Sequence, residues 1–328
     1  MVMTLTAKTQ ELLKGWQLAG RGVYEVLSKK GTVTWQQARD TYVEELAALL
    51  PAPDGVAFET VNMDGVPAML VTPETVIEDR VLFYMHGGGY VHGGVNAYRG
   101  LTGHYAKRLG ARVYVPDYRQ APEFIFPTPI DDVFRAYKAL FSLGHEPSSI
   151  ALSGDSAGGA LVVTIMRKAR DAGVPLPVGG VAISPWADLT HSGASAKTRN
   201  DLDPVASVDI LTPLARTFLG NTLATDPDVS PIFADLRGLS PTLILMGENE
   251  VMLSGGITLA ERLAEQRVRT TLEVWPGMFH VWLLFAGFMP EADEALDSAV
   301  DFLIREYRRA RASLNVSDVM VERRFEPR

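Results

Sequence analysis

The chain has 328 residues, of which 47% are hydrophobic and 21% charged, and its formal net charge is -8 at pH 7. This balance is typical of a soluble globular protein, and the length suits one large α/β domain with a small accessory layer. The negative charge argues against nucleic acid or an anionic membrane surface as the main partner. Because cysteine is absent, disulfides, a thiol nucleophile and thiolate metal sites are excluded, which fits a reducing cytoplasm.

The N-terminus and the hydropathy pattern predict neither a signal peptide nor a membrane span. Lys8, Glu11 and Lys14 interrupt the first apolar stretch, so no signal-peptide core forms. The sequence also has no apolar window of about 18 residues, the length that a spanning helix needs. We therefore expect a cytoplasmic protein.

The first 80 residues combine predicted helices with two predicted strands. Residues 1–50 carry apolar side chains at three- and four-residue steps, the pattern of amphipathic helices. Prolines and glycine in residues 51–55 end this segment. Short runs at Val56–Asn62 and Ala68–Thr72, bounded by glycine or proline, predict strands.

From residue 80 onward, short apolar runs alternate with helix-like segments. The predicted strands are Val81–Met85, Val113–Val115, Ile150–Ser153, Gly180–Ile183, Thr242–Met246 and Thr271–Trp275. The predicted helices between them are Gly100–Leu109, Ile130–Leu143, Ala157–Ala172 and Gly256–Gln266. This alternation predicts the α/β class, with a mostly parallel sheet covered by helices on both faces.

Two segments do not fit the simple alternation. The gap between Ile183 and Thr242 is too long for one crossover helix, and its helix-like part Asp209–Leu219 predicts an excursion above the sheet. Residues 312–328 are polar and rich in charge, so we expect a frayed tail there.

Ser156 stands at the centre of the pattern Gly154-Asp155-Ser156-Ala157-Gly158. In a glycine-x-serine-x-glycine elbow, the serine occupies a sharp strand-to-helix turn that exposes its hydroxyl, and small neighbours let chain segments approach closely. A predicted strand precedes this pattern and a predicted helix follows it. Ser156 is therefore the predicted nucleophile, at a helix N-terminus that favours developing negative charge.

A glycine-rich segment, His86-Gly87-Gly88-Gly89, directly follows a predicted strand. Attack on a carbonyl creates an oxyanion that fixed N–H donors stabilise. The predicted donors are the N–H groups of Gly87, Gly88 and Ala157. A phosphate-binding loop is disfavoured, because neither a lysine nor a glycine-x-glycine-x-x-glycine frame is present. We interpret His86 as a hydrogen-bonding residue of the loop.

The general base should lie downstream of Ser156, since hydrolases with this elbow order their residues as serine, acid and histidine. Only His191 and His280 satisfy this order. His280 follows the predicted strand Thr271–Trp275 through a short turn, at the sheet edge where sites in open α/β sheets lie. His191 has no strand before it. We therefore predict His280 as the base.

The acid that orients the base should follow the preceding strand, Thr242–Met246. Two carboxylates stand there, Glu248 and Glu250. Either could hold the histidine in the required tautomer and stabilise its charged form. Spacing alone leaves both open.

Together these motifs resemble those of the hormone-sensitive-lipase-like carboxylesterases, especially the bacterial ones. The matching segments are Tyr84–Val91, Asp117–Glu123, Gly154–Gly159, Ser184–Leu189 and Ser230-Pro231, and the resemblance covers roughly residues 56–308. It implies hydrolysis of short- to medium-chain carboxylic esters through an acyl-enzyme. It also implies that Glu250 is the acid and His280 the base.

The resemblance further implies an α/β-hydrolase fold with a helical cap. Residues 1–50 and 187–220 match the cap, residues 51–186 and 221–311 the catalytic domain, and residues 312–328 remain as the polar tail. Relatives often form homodimers through the last edge strand, and the apolar character of Thr271–Trp275 permits such pairing.

Two other functions share these motifs. An amidase or formamidase would use the same triad, and a small-molecule receptor on this fold would be expected to lose a triad member, whereas Ser156, Glu250 and His280 are all present. The chemistry requires no metal and no organic cofactor. The expected partner is a small-molecule ester.

Overall fold

The computed structural model of the chain describes residues 5–29 and 31–322. Its strands are β1 (Val56–Met63), β2 (Val66–Pro73), β3 (Val81–Met85), β4 (Arg112–Pro116), β5 (Ile150–Asp155), β6 (Gly180–Ile183), β7 (Thr242–Gly247) and β8 (Thr270–Trp275). They form one eight-stranded sheet in the order β1-β2-β4-β3-β5-β6-β7-β8. Strands β3 to β8 run parallel to one another, whereas β2, near one edge, is antiparallel to both of its neighbours, β1 and β4. The predicted α/β class is confirmed.

Helices connect the strands and cover the sheet. They are α1 (Ala7–Ala19), α2 (Arg21–Leu27), α3 (Trp35–Leu49), α4 (Arg99–Leu109), α5 (Thr128–Ser142), α6 (Ala157–Asp171), α7 (Ser195–Thr198), α8 (Val208–Leu219), α9 (Leu253–Glu265) and α10 (Pro290–Glu322). The central strands β3, β5, β6 and β7 are buried along their whole length. Their largely apolar composition follows from burial on both faces of a parallel sheet, although β5 also buries Ser153 and Asp155.

The N-terminal segment is helical, as predicted, but it is divided into three helices. Gly20 lies between α1 and α2. Helix α3 begins with a capping box in which Thr34 and Gln37 bond reciprocally to each other's backbone N–H. The buried Trp16 donates its indole N–H to the hydroxyl of Tyr42 at 3.0 Å, which fixes α1 against α3.

The long segment between β6 and β7 leaves the sheet, and its main helix is α8. The Gln17 side chain of α1 donates to the carbonyl of Pro204, just before α8, at 2.7 Å. This bond joins the two segments that were predicted to form a cap. The division into cap and catalytic domain stays a prediction.

The end of the chain departs from the sequence expectation. Helix α10 continues to Glu322, so residues 312–322 of the predicted frayed tail are helical. Residues 323–328 lie outside the described residues. In the portion of the chain that the structure describes, no helix combines the length and apolar character needed to cross a membrane.

Strand β8 forms the edge of the sheet opposite β1. Its outer backbone groups have no neighbouring strand within the described part of the chain. Pairing of two copies at this edge and a cytoplasmic location both stay predictions.

Candidate active site

Three predicted side chains meet where parallel strands end. Ser156 follows β5, Glu250 follows β7 and His280 follows β8. The Nε2 atom of His280 lies 3.0 Å from Ser156 Oγ, and its Nδ1 atom lies 3.1 Å from Glu250 Oε2. Because the carboxyl ends of parallel strands share one edge of a sheet, residues far apart in sequence come into contact there.

The turn at Ser156 has the strained backbone expected of the elbow, with φ 55° and ψ -119°. Glycine is required beside it. A Cβ at Gly158 would lie 1.9 Å from the carbonyl oxygen of Met85, and one at Gly154 would lie 2.4 Å from the carbonyl oxygen of Gly158. These close approaches bring β3, β5 and α6 together and present the Ser156 hydroxyl at the N-terminus of α6.

The carboxylate of Glu250 faces Nδ1 of His280. An ionised carboxylate only accepts hydrogen bonds, so Nδ1 carries the proton and Nε2 can accept from Ser156. Burial alone lowers the pKa of the His280 imidazole, but the contact with Glu250 and the charges of Glu250, Asp203 and Asp155 outweigh burial and raise that pKa. The site therefore stabilises a positive charge on the imidazole.

The structure distinguishes the two candidate carboxylates. Glu250 is fully buried, whereas Glu248 is exposed and accepts the Gly277 N–H at 2.9 Å. Ser184, at the end of β6, donates its hydroxyl to Glu250 Oε1 at 2.7 Å and accepts the Val281 N–H at 3.0 Å. Ser184 thus links the loop of the acid to the loop of the histidine.

His191, the other downstream histidine, lies elsewhere. It accepts the indole N–H of Trp186 at 3.0 Å and stacks on that ring. Its surroundings are those of a packing residue in the loop after β6.

The glycine-rich loop follows the prediction only in part. The Gly87 N–H donates to Asp155 Oδ1 and to the hydroxyl of Tyr98, both at 3.0 Å. That N–H is thus already engaged, and the structure contradicts the expectation that Gly87 stabilises an oxyanion. Gly88 and Gly89 instead line the cavity that contains Ser156.

The N–H groups of Gly88, Gly89 and Ala157 remain unused. Within residues 5–29 and 31–322, none of the three donates to a protein acceptor. Ala157 is the first residue of α6, whose N–H has no partner inside its own helix. All three flank the reactive serine or its cavity.

Asp155 holds the loop in place from within the elbow. Its carboxylate accepts hydrogen bonds from Tyr84 at 2.7 Å, Tyr98 at 3.0 Å and the Gly87 N–H. Burial raises the pKa of this carboxyl to about 6, although these hydrogen bonds and the charge of His280 oppose the rise. The motif assigns no role to its second residue, so sequence reasoning missed Asp155.

A second carboxylate that sequence reasoning missed comes from the segment before α8. Asp203 is buried and accepts the N–H of Val251, next to Glu250, at 3.2 Å. Its other oxygen accepts the N–H groups of Val205 and Ala206. Asp203 therefore ties this segment to the loop of Glu250. In the sequence, the only feature that marks Asp203 is its position directly before Pro204.

A cavity of about 580 Å³ opens above Ser156. We call its sheet side, formed by Ser156, His280 and the loop of Gly88 and Gly89, the floor. We call its helical side the wall, to which residues of the N-terminal helices, the loop after β3 and α8 contribute. Residues of the wall include Trp16, Val23, Tyr42, His92, Ile210, Leu211 and Leu214.

Comparison with known proteins identifies a hydrolase fold family and relatives that are named as esterases. Residues 82–284 match a family described as alpha/beta hydrolase fold. An acetyl-hydrolase of Streptomyces hygroscopicus is 38% identical over 226 residues, which are 69% of this chain and 76% of that protein. Carboxylesterase NlhH of Mycobacterium tuberculosis is 32% identical over 251 residues, which are 72% of this chain and 78% of that protein.

Solved structures extend the similarity to the helical segments. The crystal structure of an esterase from the bacterial hormone-sensitive lipase family has a TM-score of 0.86 at 35% identity and covers 93% of this chain and 100% of its own. EstE5, crystallised and soaked with p-nitrophenyl butyrate, has a TM-score of 0.81 at 33% identity with the same coverage of both chains. The chain therefore belongs to the alpha/beta hydrolase fold family and, within it, to the hormone-sensitive-lipase-like carboxylesterases, which makes it a serine hydrolase of carboxylic esters.

Proposed function

We propose that the protein hydrolyses short- to medium-chain carboxylic esters through a triad of Ser156, His280 and Glu250. One observation carries the proposal: His280 bridges the other two, with Nε2 3.0 Å from Ser156 Oγ and Nδ1 3.1 Å from Glu250 Oε2. This is the arrangement of nucleophile, base and orienting acid that acyl transfer through serine requires.

In the proposed reaction, Ser156 Oγ attacks the ester carbonyl while His280 Nε2 takes the hydroxyl proton. The resulting imidazolium is stabilised by Glu250. It then returns the proton to the departing alcohol, which leaves an acyl-enzyme. Water, deprotonated by His280, attacks the acyl carbonyl, and the acid is released as Ser156 regains its proton.

For the oxyanion we propose the N–H groups of Gly88, Gly89 and Ala157, with Gly89 replacing Gly87 of the sequence prediction. The reason is their availability: these three N–H groups have no acceptor in the described part of the chain, whereas that of Gly87 is engaged by Asp155 and Tyr98. Donors that are fixed before the reaction stabilise the developing charge without reorganisation.

The acyl-chain preference is supported by cavity size and by relatives. A cavity of about 580 Å³ suits a small ester better than a long-chain triglyceride. One relative is named an acetyl-hydrolase, and crystals of another were soaked with p-nitrophenyl butyrate. We therefore expect rates on p-nitrophenyl esters from C2 to C12 to peak below C12.

The decisive variant is Ser156→Ala, because it removes the proposed nucleophile alone. We expect kcat for p-nitrophenyl butyrate to fall about 10⁴-fold or more, with an unchanged circular dichroism spectrum. Ser153→Ala is the matched control, since it removes another buried hydroxyl of β5, one that bonds to Tyr105, and should keep activity. Retained activity in Ser156→Ala would contradict the proposal, as would failure of a fluorophosphonate to label Ser156.

A further inference from the structure

The cavity above Ser156 contains polar groups whose hydrogen-bonding capacity is mostly accounted for. The hydroxyl of Tyr98 donates to Asp155 and accepts from Gly87. At the rim, Gln17 donates to Pro204 and Arg21 to Glu25. Lys14 and Tyr24 also line the cavity, but their side chains are exposed to solvent. Among the buried and half-buried groups of the wall, Tyr42 and His92 are the exceptions.

Tyr42 has an unused donor. Its hydroxyl accepts the indole N–H of Trp16 at 3.0 Å, but within the described residues no acceptor takes its own proton. The side chain is buried and lines the cavity. Burial raises the pKa of this phenol, so the proton stays on the oxygen.

His92 has no hydrogen bond at either ring nitrogen among the residues that the structure describes, and its Nδ1 atom is buried. Since His92 is partly exposed and lines the cavity, Nε2 is its accessible ring nitrogen. Burial, with the nearby charges of His86 and Arg39, lowers the pKa of His92 to about 3, so the imidazole is neutral. We assign its one proton to Nε2, because a buried N–H without an acceptor is the costlier arrangement.

The two groups are neighbours. The Tyr42 and His92 rings meet edge to face, with centroids 4.8 Å apart and an interplanar angle of 89°. His92 also lies directly behind the oxyanion loop, since a Cβ on Gly88 would be 2.0 Å from the His92 carbonyl oxygen. The wall therefore contributes two unused neutral donors to the cavity that also contains Ser156, among otherwise mostly apolar side chains.

We propose that Tyr42 and His92 form a polar subsite that binds an uncharged oxygen, a hydroxyl or carbonyl, carried by the acyl or alcohol part of the ester. The substrate class is then oxygen-substituted esters in preference to plain alkyl esters. Neutral donors favour an uncharged oxygen, because burying a carboxylate without a cation beside it is unfavourable. The inference rests on the proposed function, since it names the substrate of that same site.

The test compares esters in which one methyl group is replaced by a hydroxyl. For the acyl part, each enantiomer of ethyl 3-hydroxybutyrate is compared with ethyl 3-methylbutyrate. For the alcohol part, 2-hydroxyethyl butyrate is compared with propyl butyrate. The ratio of kcat/KM within each pair is measured for the wild type and for Tyr42→Phe, His92→Leu and Tyr105→Phe. Dividing the variant ratio by the wild-type ratio cancels the intrinsic reactivity of the esters.

We expect Tyr42→Phe and His92→Leu each to lower the hydroxyl-to-methyl ratio about 3- to 10-fold in one of the two pairs, the worth of a neutral hydrogen bond. The affected pair shows whether the subsite holds the acyl or the alcohol part. Tyr105→Phe removes another buried phenol hydroxyl, one that bonds to Ser153, and Tyr105 is not among the described residues that line the cavity, so both ratios should stay unchanged. Tyr42→Phe also removes the acceptor of the Trp16 indole N–H, so the melting temperature of each variant is measured as well. His92→Leu does not affect that bond and tests the subsite independently.

If both variants keep the wild-type ratios while still hydrolysing the alkyl esters, the proposed subsite is contradicted, and Tyr42 and His92 contact only water. Failure of the proposed function looks different. In that case the wild type hydrolyses none of these esters, or Ser156→Ala hydrolyses them as well as the wild type does.

Discussion

The floor and the wall of the cavity differ in how their polar atoms are paired. On the floor, Ser156, His280 and Glu250 bond to one another, and Ser184 and Asp155 hold the surrounding loops. In the wall, Tyr42 keeps an unused proton, and His92 keeps two ring nitrogens without partners in the described chain. Among the described residues, the side chains of the floor are thus paired and only the backbone N–H groups of Gly88 and Gly89 stay unused, whereas in the wall it is side-chain groups that stay unused. We infer that the floor determines the reaction and the wall the choice of ester.

The largest effect that tests the floor comes from Glu250→Gln. An amide in place of the carboxylate cannot hold the imidazole in the same tautomer or stabilise its charge, so kcat should fall ~10³- to 10⁴-fold. Glu248→Gln, two residues away, is the control and should change kcat little, because Glu248 is exposed and only accepts from Gly277. Equal losses in the two variants, measured with p-nitrophenyl butyrate, would contradict the assignment of Glu250.

The next largest loss of activity is expected for Gly88→Ala, in the glycine-rich loop of the floor. Gly88 has φ 110°, and a Cβ there would lie 2.0 Å from the His92 carbonyl oxygen. Gly88→Ala should therefore displace the proposed oxyanion donors and lower kcat about 10²- to 10³-fold.

A matched control separates the effect of a substitution at Gly88 itself from the effect of placing alanine at any position with positive φ. Gly65 also has positive φ, at 85°, but a Cβ at this position would meet no heavy atom within 4 Å. Gly65→Ala should leave kcat unchanged. Similar activity in Gly88→Ala and the wild type would show that the loop does not supply the donors.

The smallest effect is a shift in pH dependence. His280 must be neutral to act as base, so kcat/KM should fall as the pH drops through its pKa, which the charges of Glu250, Asp203 and Asp155 hold above the ordinary value of 6.5. Asp203→Asn removes one of these charges, which lowers the pKa of His280. The acid limb of the kcat/KM profile should then move to lower pH. A limb that stays in place while activity falls would indicate that Asp203 acts only through its hydrogen bonds.

The sequence allowed the floor to be predicted because its signals are local. Ser156 lies in a pattern whose neighbours must be small, and His280 is selected over His191 because a predicted strand precedes it and none precedes His191. The choice between Glu248 and Glu250 required a family resemblance, since both follow the same strand.

The rest depends on contacts between distant segments. The direction of the Gly87 N–H is set by Asp155 and Tyr98, which the glycine pattern does not reveal. The wall depends on how three N-terminal helices and α8 pack over the floor, and no motif encodes that packing. The helical course of residues 312–322 was also missed, because a charged composition is compatible with a helix as well as with a frayed end.

The position of Ser184 has a mechanical consequence. His280 bonds to Glu250, Glu250 to Ser184, and Ser184 to the N–H of Val281, the residue that follows His280. Together with the covalent link from His280 to Val281, these three hydrogen bonds form a closed ring. Ser184 thereby fixes the position of the Glu250 carboxylate relative to the backbone that carries His280. The orientation of the imidazole is thus tied to the ends of β6, β7 and β8.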